Sequence, residues 1–296
     1  MSSTTIKLND DTSVPWIAFG TGTALYRKDA AAQVKQAIDG GFTHLDGAQA
    51  YDNEESLGQG IKDSGKARSE LYITTKLGKI PEGKTVKDTL EESLKKLGVD
   101  HVDLFLIHQP SFHTDPKVPG QEEWKELQGV WKQLEGVKKD GLTKSIGVSN
   151  FKIAHLEAIR KTATVTPAVN QIEFHPYVWG KELKELYTYS KQRGIVTASY
   201  SGLAPLTKEP EGPLKKILPG IRERVEKDYG KPVTEGQILL KWLKQKDILI
   251  VTTTSKQARI EEYLNTPKVP DLTEEEVKII DEHGEKHPKR FFGSNW

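Results

Sequence analysis

The chain has 296 residues, with 43 Lys and Arg against 42 Asp and Glu, a formal net charge of +1 and no Cys. That length allows one or two domains with a sizeable core, and barrels reach it as a single unit. The charge balance argues against a binder that works by neutralising nucleic-acid phosphates, and the lack of Cys excludes disulfides, cysteine-based zinc sites and thiol nucleophiles.

The N-terminal stretch MSSTTIKLNDDTSVP has neither the basic nor the apolar segment of a secretory leader. The longest apolar runs, such as Ile248–Val251, fall far short of a membrane span, and no Asn-x-Ser/Thr acceptor occurs. A soluble cytoplasmic protein with no membrane partner is expected.

Ile6–Leu8 and Val14–Trp16 flank Asn9-Asp10-Asp11 and read as a small N-terminal hairpin. From Trp16 on, a short apolar run, a turn and an amphipathic stretch repeat. Trp16–Thr23 leads to a helix over Asp29–Gly40, Thr43–Gln49 to Asn53–Asp63, and Leu71–Leu77 to Thr85–Leu97. Val102–His108 leads to Gln121–Lys139, Lys144–Asn150 to Lys152–Lys161, and Val169–His175 to Lys181–Arg193. Ile195–Gly202 is followed by an inserted helix over Pro213–Tyr229 and then by Thr234–Gln245. Ile248–Thr254 leads to Gln257–Leu264, and Thr273–Glu285 makes a polar terminal helix. In the third helix Val86, Leu90, Leu94 and Leu97 recur at helical spacing before the stop signal Gly98.

The apolar runs are mostly continuous rather than alternating, as strands buried on both faces are. Strand–helix alternation with short links predicts a parallel sheet, and eight such units predict a closed (β/α)8 barrel forming one domain over 1–296. The alternative is an open doubly wound sheet. Its nucleotide fingerprint is incomplete, because Gly20-Thr21-Gly22-Thr23-Ala24-Leu25 lacks the last glycine. Two connections, Gln109–Gly120 and Leu203–Gly212, are long.

In such a barrel the C-terminal strand ends face the active site, so polar residues closing an apolar run are informative. Asp46 closes the second run, with Tyr51 five residues on; Lys76 closes the third and His108 the fourth. Each has an ordinary explanation: a helix cap, a snorkelling amine, core filler, a satisfied core imidazole. Together they predict one constellation. A buried Lys wants an anion, and Asp46 is the nearest candidate. A cation beside a phenol lowers a pKa that starts near about 10, which would make Tyr51 a proton donor near neutral pH, with His108 orienting a carbonyl oxygen.

Ser149 and Asn150 end the fifth run and Gln171 lies in the sixth, offering a hydroxyl and two amides to a carboxamide. Tyr200 and Ser201 end the seventh, where a flat ring can stack on a pyridine. The eighth ends in Thr252, Thr253, Thr254, Ser255 and Lys256, with Arg259 opening a helix, a possible phosphate seat or simply strand-favouring threonines.

The segment Gly41-Phe-Thr-His-Leu-Asp46-Gly-Ala-Gln-Ala-Tyr51-Asp-Asn-Glu-Glu-Ser-Leu-Gly58 resembles the first signature of the aldo-keto reductases. Asp103–His108, Gly147–Phe151 and Asn170–Tyr177 are similar to later blocks of that superfamily, and the similarity runs from about Ile6 to Leu264. The resemblance implies a TIM barrel, a monomer, and NADP(H) extended across the C-terminal rim to reduce a small-molecule carbonyl. It implies Tyr51 as general acid, Lys76 and Asp46 as its tuners, and His108 as the residue that places the carbonyl. It puts Ser149, Asn150 and Gln171 on the carboxamide, Tyr200 against the nicotinamide, Ser201 and Leu203 at the pyrophosphate, and Arg259 at the adenosine 2′-phosphate.

Relatives commonly carry Pro-Lys-Ser where this chain has Thr252-Thr253-Thr254, so Lys256 is expected to substitute for the missing cation. The Thr-rich form is similar to fungal members of the conjugated polyketone reductase and ketopantoyl lactone reductase type. Ala24 and Gly78 stand where many relatives place bulky aromatics, which suggests a roomier mouth.

Other signals are weaker. His283-Gly-Glu-Lys-His287 does not match the zincin arrangement, and His101, His113 and His175 lack a ligand set, so no metal is expected. No Gly-x-Ser-x-Gly or Walker A sequence occurs. Phe112, Trp124, Trp179, Phe291, Phe292 and Trp296 are pocket walls or ordinary packing. Two competing readings remain: a Schiff-base lyase acting through Lys76, and a cofactor-binding regulatory barrel without turnover.

Overall fold

The computed structural model describes residues 4–112 and 121–292. Two short strands, β1 (Thr5–Lys7) and β2 (Ser13–Pro15), pair antiparallel as the expected hairpin. The eight apolar runs supply β3 (Ile17–Gly20), β4 (His44–Asp46), β5 (Tyr72–Leu77), β6 (Val102–Ile107), β7 (Thr143–Ser149), β8 (Val169–Glu173), β9 (Val196–Tyr200) and β10 (Leu249–Thr252). They close into a barrel in chain order, β10 pairing with β3, and every pairing is parallel. The (β/α)8 barrel is therefore the fold, and the open sheet is not.

Every strand lies inside its apolar run except β7, which begins one residue earlier, at Thr143. The last residues of several runs have left the ladder and form the rim.

The helices are α1 (Ala31–Asp39), α2 (Glu54–Ser64), α3 (Val86–Leu97), α4 (Gln121–Lys139), α5 (Ile153–Arg160), α6 (Lys181–Gln192), α7 (Ala204–Thr207), α8 (Leu218–Tyr229), α9 (Glu235–Gln245), α10 (Gln257–Asn265) and α11 (Glu274–Glu285). In α3 the Thr85 side chain accepts from Asp88 N and the Asp88 carboxylate returns the bond, while Gly98 closes the other end at φ 69°. The inserted segment splits into a 3-10 turn (Pro213–Lys216) and α8, whose first turn takes Pro219. Helix α7 is too short to show a period, so no signal in the sequence announces it. His113, Trp296 and most of the 109–120 connection lie outside the described residues, as does the Phe112 side chain.

Register decides what fills the barrel. Residues two apart on a strand point the same way, and Leu104, Leu106, Val169, Ala198 and Leu249 form an interior cluster with Leu8 and Val14 of the hairpin. The hairpin is the barrel floor. Asn9 Nδ2 donates to Pro167 O at 2.9 Å, and Asp10 takes bonds from Ser145 Oγ at 2.8 Å and Lys138 Nζ at 2.6 Å. The outer faces of the strands meet the apolar stripes of the helices in a second, larger core.

The terminal helix is not merely polar. Ile280 is buried, Trp242 Nε1 donates to Asp281 Oδ1 at 2.7 Å, and a Cβ on Gly284 would fall 2.1 Å from Pro176 O. The helix is docked backbone to backbone, a closeness only glycine permits.

His44 lies inside the barrel on the same side of β4 as Asp46, Nε2 facing Thr74 Oγ1 at 2.8 Å and Nδ1 facing Pro15 O at 3.4 Å. Burial, partly opposed by Asp46, pushes its pKa down to about 4. The unfolded chain takes up this proton near about pH 6.5, the native chain only near about 4. Stability therefore falls as pH drops through that window, this one proton contributing up to about 1.4 kcal/mol per pH unit. Urea unfolding of wild type and His44→Gln at pH 7, 6 and 5 is expected to show a slope shallower by about one proton in the variant.

Candidate active site

A cavity of about 660 Å3 opens where the strands end at their C-terminal side. It sits above the barrel interior, where the inward-facing series reaches charged and amide side chains: Asp46 above His44, Lys76 above Thr74, and Gln171 above Val169.

Lys76 and Asp46 are 0% and 2% exposed, with Nζ 2.5 Å from Oδ1. Lys76 Nζ also donates to Gly47 O at 2.9 Å and to Tyr51 Oη at 3.3 Å, so its three N–H donors meet three acceptors. Burial works against the ammonium, but Asp46 and Tyr51 outweigh it and hold the pKa above its ordinary value. This amine is a cation with no lone pair to offer.

Tyr51 reaches the pair from a 3-10 turn, Gln49–Tyr51. Asn53 Nδ2 pins that turn to the β3–α1 loop through Thr21 O at 3.0 Å and Leu25 O at 2.7 Å. Gly22 leaves space for the ring: a Cβ there would fall 2.8 Å from Tyr51 Cζ. The electrostatic expectation for Tyr51 needs correction. Burial raises its pKa, and the opposing pull of Lys76 does not overcome it. The phenol is thus held neutral, with its proton in place.

His108 stands edge to face with Tyr51, ring centroids 5.3 Å apart at 83°. Burial first, then the Lys76 charge, push it down to about 3, so the imidazole is neutral at any ordinary pH.

The neighbouring wall continues the network. Gln171 Nε2 donates to Asp46 Oδ2 at 2.8 Å, so its carbonyl oxygen is what it offers a ligand. Ser149 Oγ donates to Gln171 O at 2.6 Å and accepts from Asn150 Nδ2 at 3.2 Å. Asn150 Nδ2 also donates to His108 O at 3.0 Å, and Tyr200 Oη donates to Asn150 Oδ1 at 2.8 Å. One chain of hydrogen bonds thus runs from the ion pair to the Tyr200 ring. Asn150 and Ser201 hold φ of 62° and 60°, sparsely populated values that cluster at functional sites.

The cavity brings together Asp46, Tyr51, His108, Ser149, Asn150, Gln171, Tyr200, Ser201, Leu203, Thr253 and Arg259, with Lys76 just beneath them. Thr254, Ser255 and Lys256 do not line it. They form the turn into α10, where Thr254 Oγ1 accepts from Lys256 N at 3.1 Å. Ala24 is at the mouth, whereas Gly78 is buried behind the Tyr51 turn, its N–H bonded to Gln49 Oε1 at 2.8 Å.

Sequence reasoning missed Tyr26, Thr207, Lys208 and Tyr263 as lining residues. Tyr26 carries a usable signal in hindsight, a large aromatic in a polar loop that stays 44% exposed. Of the scattered aromatics, Phe292 lines the cavity, Trp179 packs on Phe174 and Trp242, and Trp124 packs on His155. His283 Nδ1 is bonded within its own helix to Ile279 O at 2.9 Å.

Residues 16–285 match the model of the aldo/keto reductase family. The chain belongs to this family. An NAD/NADP-dependent indole-3-acetaldehyde reductase of Schizosaccharomyces pombe is 37% identical over 286 residues, covering 94% of this chain and 95% of that protein. An NADPH-dependent alpha-keto amide reductase of Saccharomyces cerevisiae is 34% identical, covering 96% and 92%. Among solved structures, a Bombyx mori aldo-keto reductase in complex with NADP superposes with a TM-score of 0.81 at 29% identity, over 100% of this chain and 97% of that one. Membership in this oxidoreductase family places a reductase scaffold around the polar layer described above.

In this family member the ion pair should also be a structural liability. Lys76→Met leaves the Asp46 carboxylate buried without its cation and is expected to cost about 3–5 kcal/mol. Adding Asp46→Asn should recover most of that loss. Guanidinium unfolding of wild type, single and double variants checks it, and a double variant no better than the single would contradict it.

Proposed function

We propose that the chain reduces a carbonyl group (a ketone, α-dicarbonyl, keto lactone or aldehyde) to an alcohol with NADPH, Tyr51 donating the proton. The observation that carries this reading is the Tyr51 hydroxyl, 3.3 Å from Lys76 Nζ and opening on the same cavity as neutral His108. The donor set fits a dinucleotide. Ser149, Asn150 and Gln171 would hold the carboxamide, Tyr200 the nicotinamide face, and Ser201 and Leu203 the pyrophosphate. Thr253, Arg259 and the α10 turn with Thr254, Ser255 and Lys256 would hold the phosphate on the adenosine side.

Bound there, the reduced nicotinamide supplies a hydride to the carbonyl carbon. The residues handle the charge that builds on oxygen. His108, uncharged, orients the carbonyl without competing for the proton. Tyr51 gives its proton to the oxygen, and the phenolate left behind faces the Lys76 ammonium, which Asp46 keeps charged. The developing charge thus meets a cation already in place, the preorganisation that makes such sites effective.

The names of the relatives support the class: one acts on an aldehyde and another on an alpha-keto amide, and both are named for nicotinamide dependence. The Schiff-base alternative requires a neutral Lys76, whereas here the amine donates three hydrogen bonds and is held charged. The intact proton-donor set argues against a barrel without turnover.

Tyr51→Phe is expected to lower kcat by roughly 10³-fold while NADPH binding, followed by fluorescence, stays near wild type. Wild-type turnover in that variant would remove Tyr51 as the acid. Because burial raises the Tyr51 pKa and His108 stays neutral, reduction should be flat with pH through neutrality and fall only once the phenol ionises. Arg259→Ala should raise KM for NADPH by about tenfold or more and leave that for NADH nearly unchanged, since only the former carries the extra phosphate. A panel of aldehydes, ketones, keto lactones and diketones run with both cofactors ranks the substrate classes.

A further inference from the structure

The last residue of β8 holds a carboxylate that the proton-transfer chemistry does not use. Glu173 is two residues beyond Gln171 on the same side of its strand, one layer nearer the mouth, and its side chain is 0% exposed. A carboxylate placed there needs donors on every lone pair. His175 Nε2 lies 3.0 Å from Oε1 and Phe291 N donates to Oε1 at 2.7 Å. Phe292 N donates to Oε2 at 3.3 Å and Arg290 Nη1 to Oε2 at 3.2 Å. Three of these four donors come from residues 290–292, more than a hundred positions along the chain.

The segment leading to them follows the same strand exit. Gly284 is seated on Pro176, the Tyr177 and His287 rings are 4.9 Å apart, and Lys289 N donates to Tyr177 O at 2.9 Å. What this docking presents to the cavity is Phe292, whose ring stands 6.2 Å from that of Tyr200 at 83°.

The tail also holds the strap formed by the β9–α8 connection, whose Leu203, Ala204, Thr207 and Lys208 line the cavity. Lys208 Nζ lies 6.0 Å from the Phe292 ring centre, and Glu209 pairs with Lys289 and, at 3.6 Å, with His287. Strap and tail are therefore tied together across the mouth, and the tie is rooted in Glu173.

We propose that Glu173 is a positioning residue that latches the C-terminal tail onto the strap and thereby sets how fast the dinucleotide leaves the cavity. The inference rests on the reading of this cavity as an NADPH seat. Glu173 touches neither the reacting atoms nor the ion pair. Its effect belongs to exchange rather than to proton transfer.

The experiment compares wild type with Glu173→Gln and with Glu209→Gln, a milder surface change that cuts only the strap–tail pairs. Hydrogen exchange of the peptide spanning 290–292 is read without ligand, and NADPH dissociation by stopped-flow fluorescence. Glu173→Gln places an N–H donor among N–H donors, so exchange of the Phe291 and Phe292 amides is expected to speed up at least tenfold. NADPH dissociation should quicken by about threefold or more, with the single-turnover rate of reduction unchanged; Glu209→Gln should move dissociation in the same direction by less. Unchanged exchange in Glu173→Gln, or unchanged dissociation in both variants, overturns the latch. If Glu173→Gln does not fold, Glu209→Gln decides, and wild-type dissociation from it overturns the proposal. Failure of wild type to bind NADPH at all would instead remove the seat reading, while the exchange data would still report whether Glu173 holds the tail.

Discussion

A charged amine with no access to water is the constraint around which this molecule is arranged. Lys76 has to find its anion and its remaining acceptors within the barrel, and it does so through Asp46, the Gly47 carbonyl and the Tyr51 hydroxyl. Those three come from one strand end and the turn that follows it, so one short segment supplies both the charge partner and the phenol. Asp46 uses its second oxygen on Gln171, which extends the arrangement to the opposite side of the barrel. Charge in the interior is tolerated only where it is fully paired. That requirement fixes four side chains relative to one another more tightly than apolar packing would.

The same rule operates one layer higher. Glu173 is a second buried charge, and its partners come from the far end of the chain rather than from a neighbouring strand. The two carboxylates have different consequences. The lower one holds the Lys76 ammonium beside the Tyr51 phenol; the upper one accepts from residues 290–292 at the mouth of the cavity. Both stand on the inward face of their strands, Asp46 above His44 and Glu173 above Gln171 and Val169.

The barrel was legible because its strands are covered on both sides, which leaves continuous apolar runs separated by helices with a clear stripe. Asp46, Lys76 and His108 were legible because a charge or an imidazole closing such a run is conspicuous, and Tyr51 because it follows in a recognisable signature. Other features leave no local trace. Glu173 looks like one more polar strand end until residues 290–292 are seen beside it, and Lys208 and Tyr263 reach the cavity through the path of loops and a helix flank. The direction of the Tyr51 shift was misjudged because a sequence shows the neighbouring cation but not how much solvent has been removed. Thr254, Ser255 and Lys256 follow Thr253 into the turn that opens α10 and are not among the residues lining the cavity.

The hairpin beneath the barrel has a kinetic meaning as well as a structural one. With Leu104, Leu106, Val169, Ala198 and Leu249 filling the lower barrel above Leu8 and Val14, whatever enters at the top must depart by the same door. Under the proposed reading, a guest seated deeper in such a blind well would enter before one nearer the mouth and leave after it. The floor that leaves this single entrance lies at the opposite end of the barrel from the polar rim.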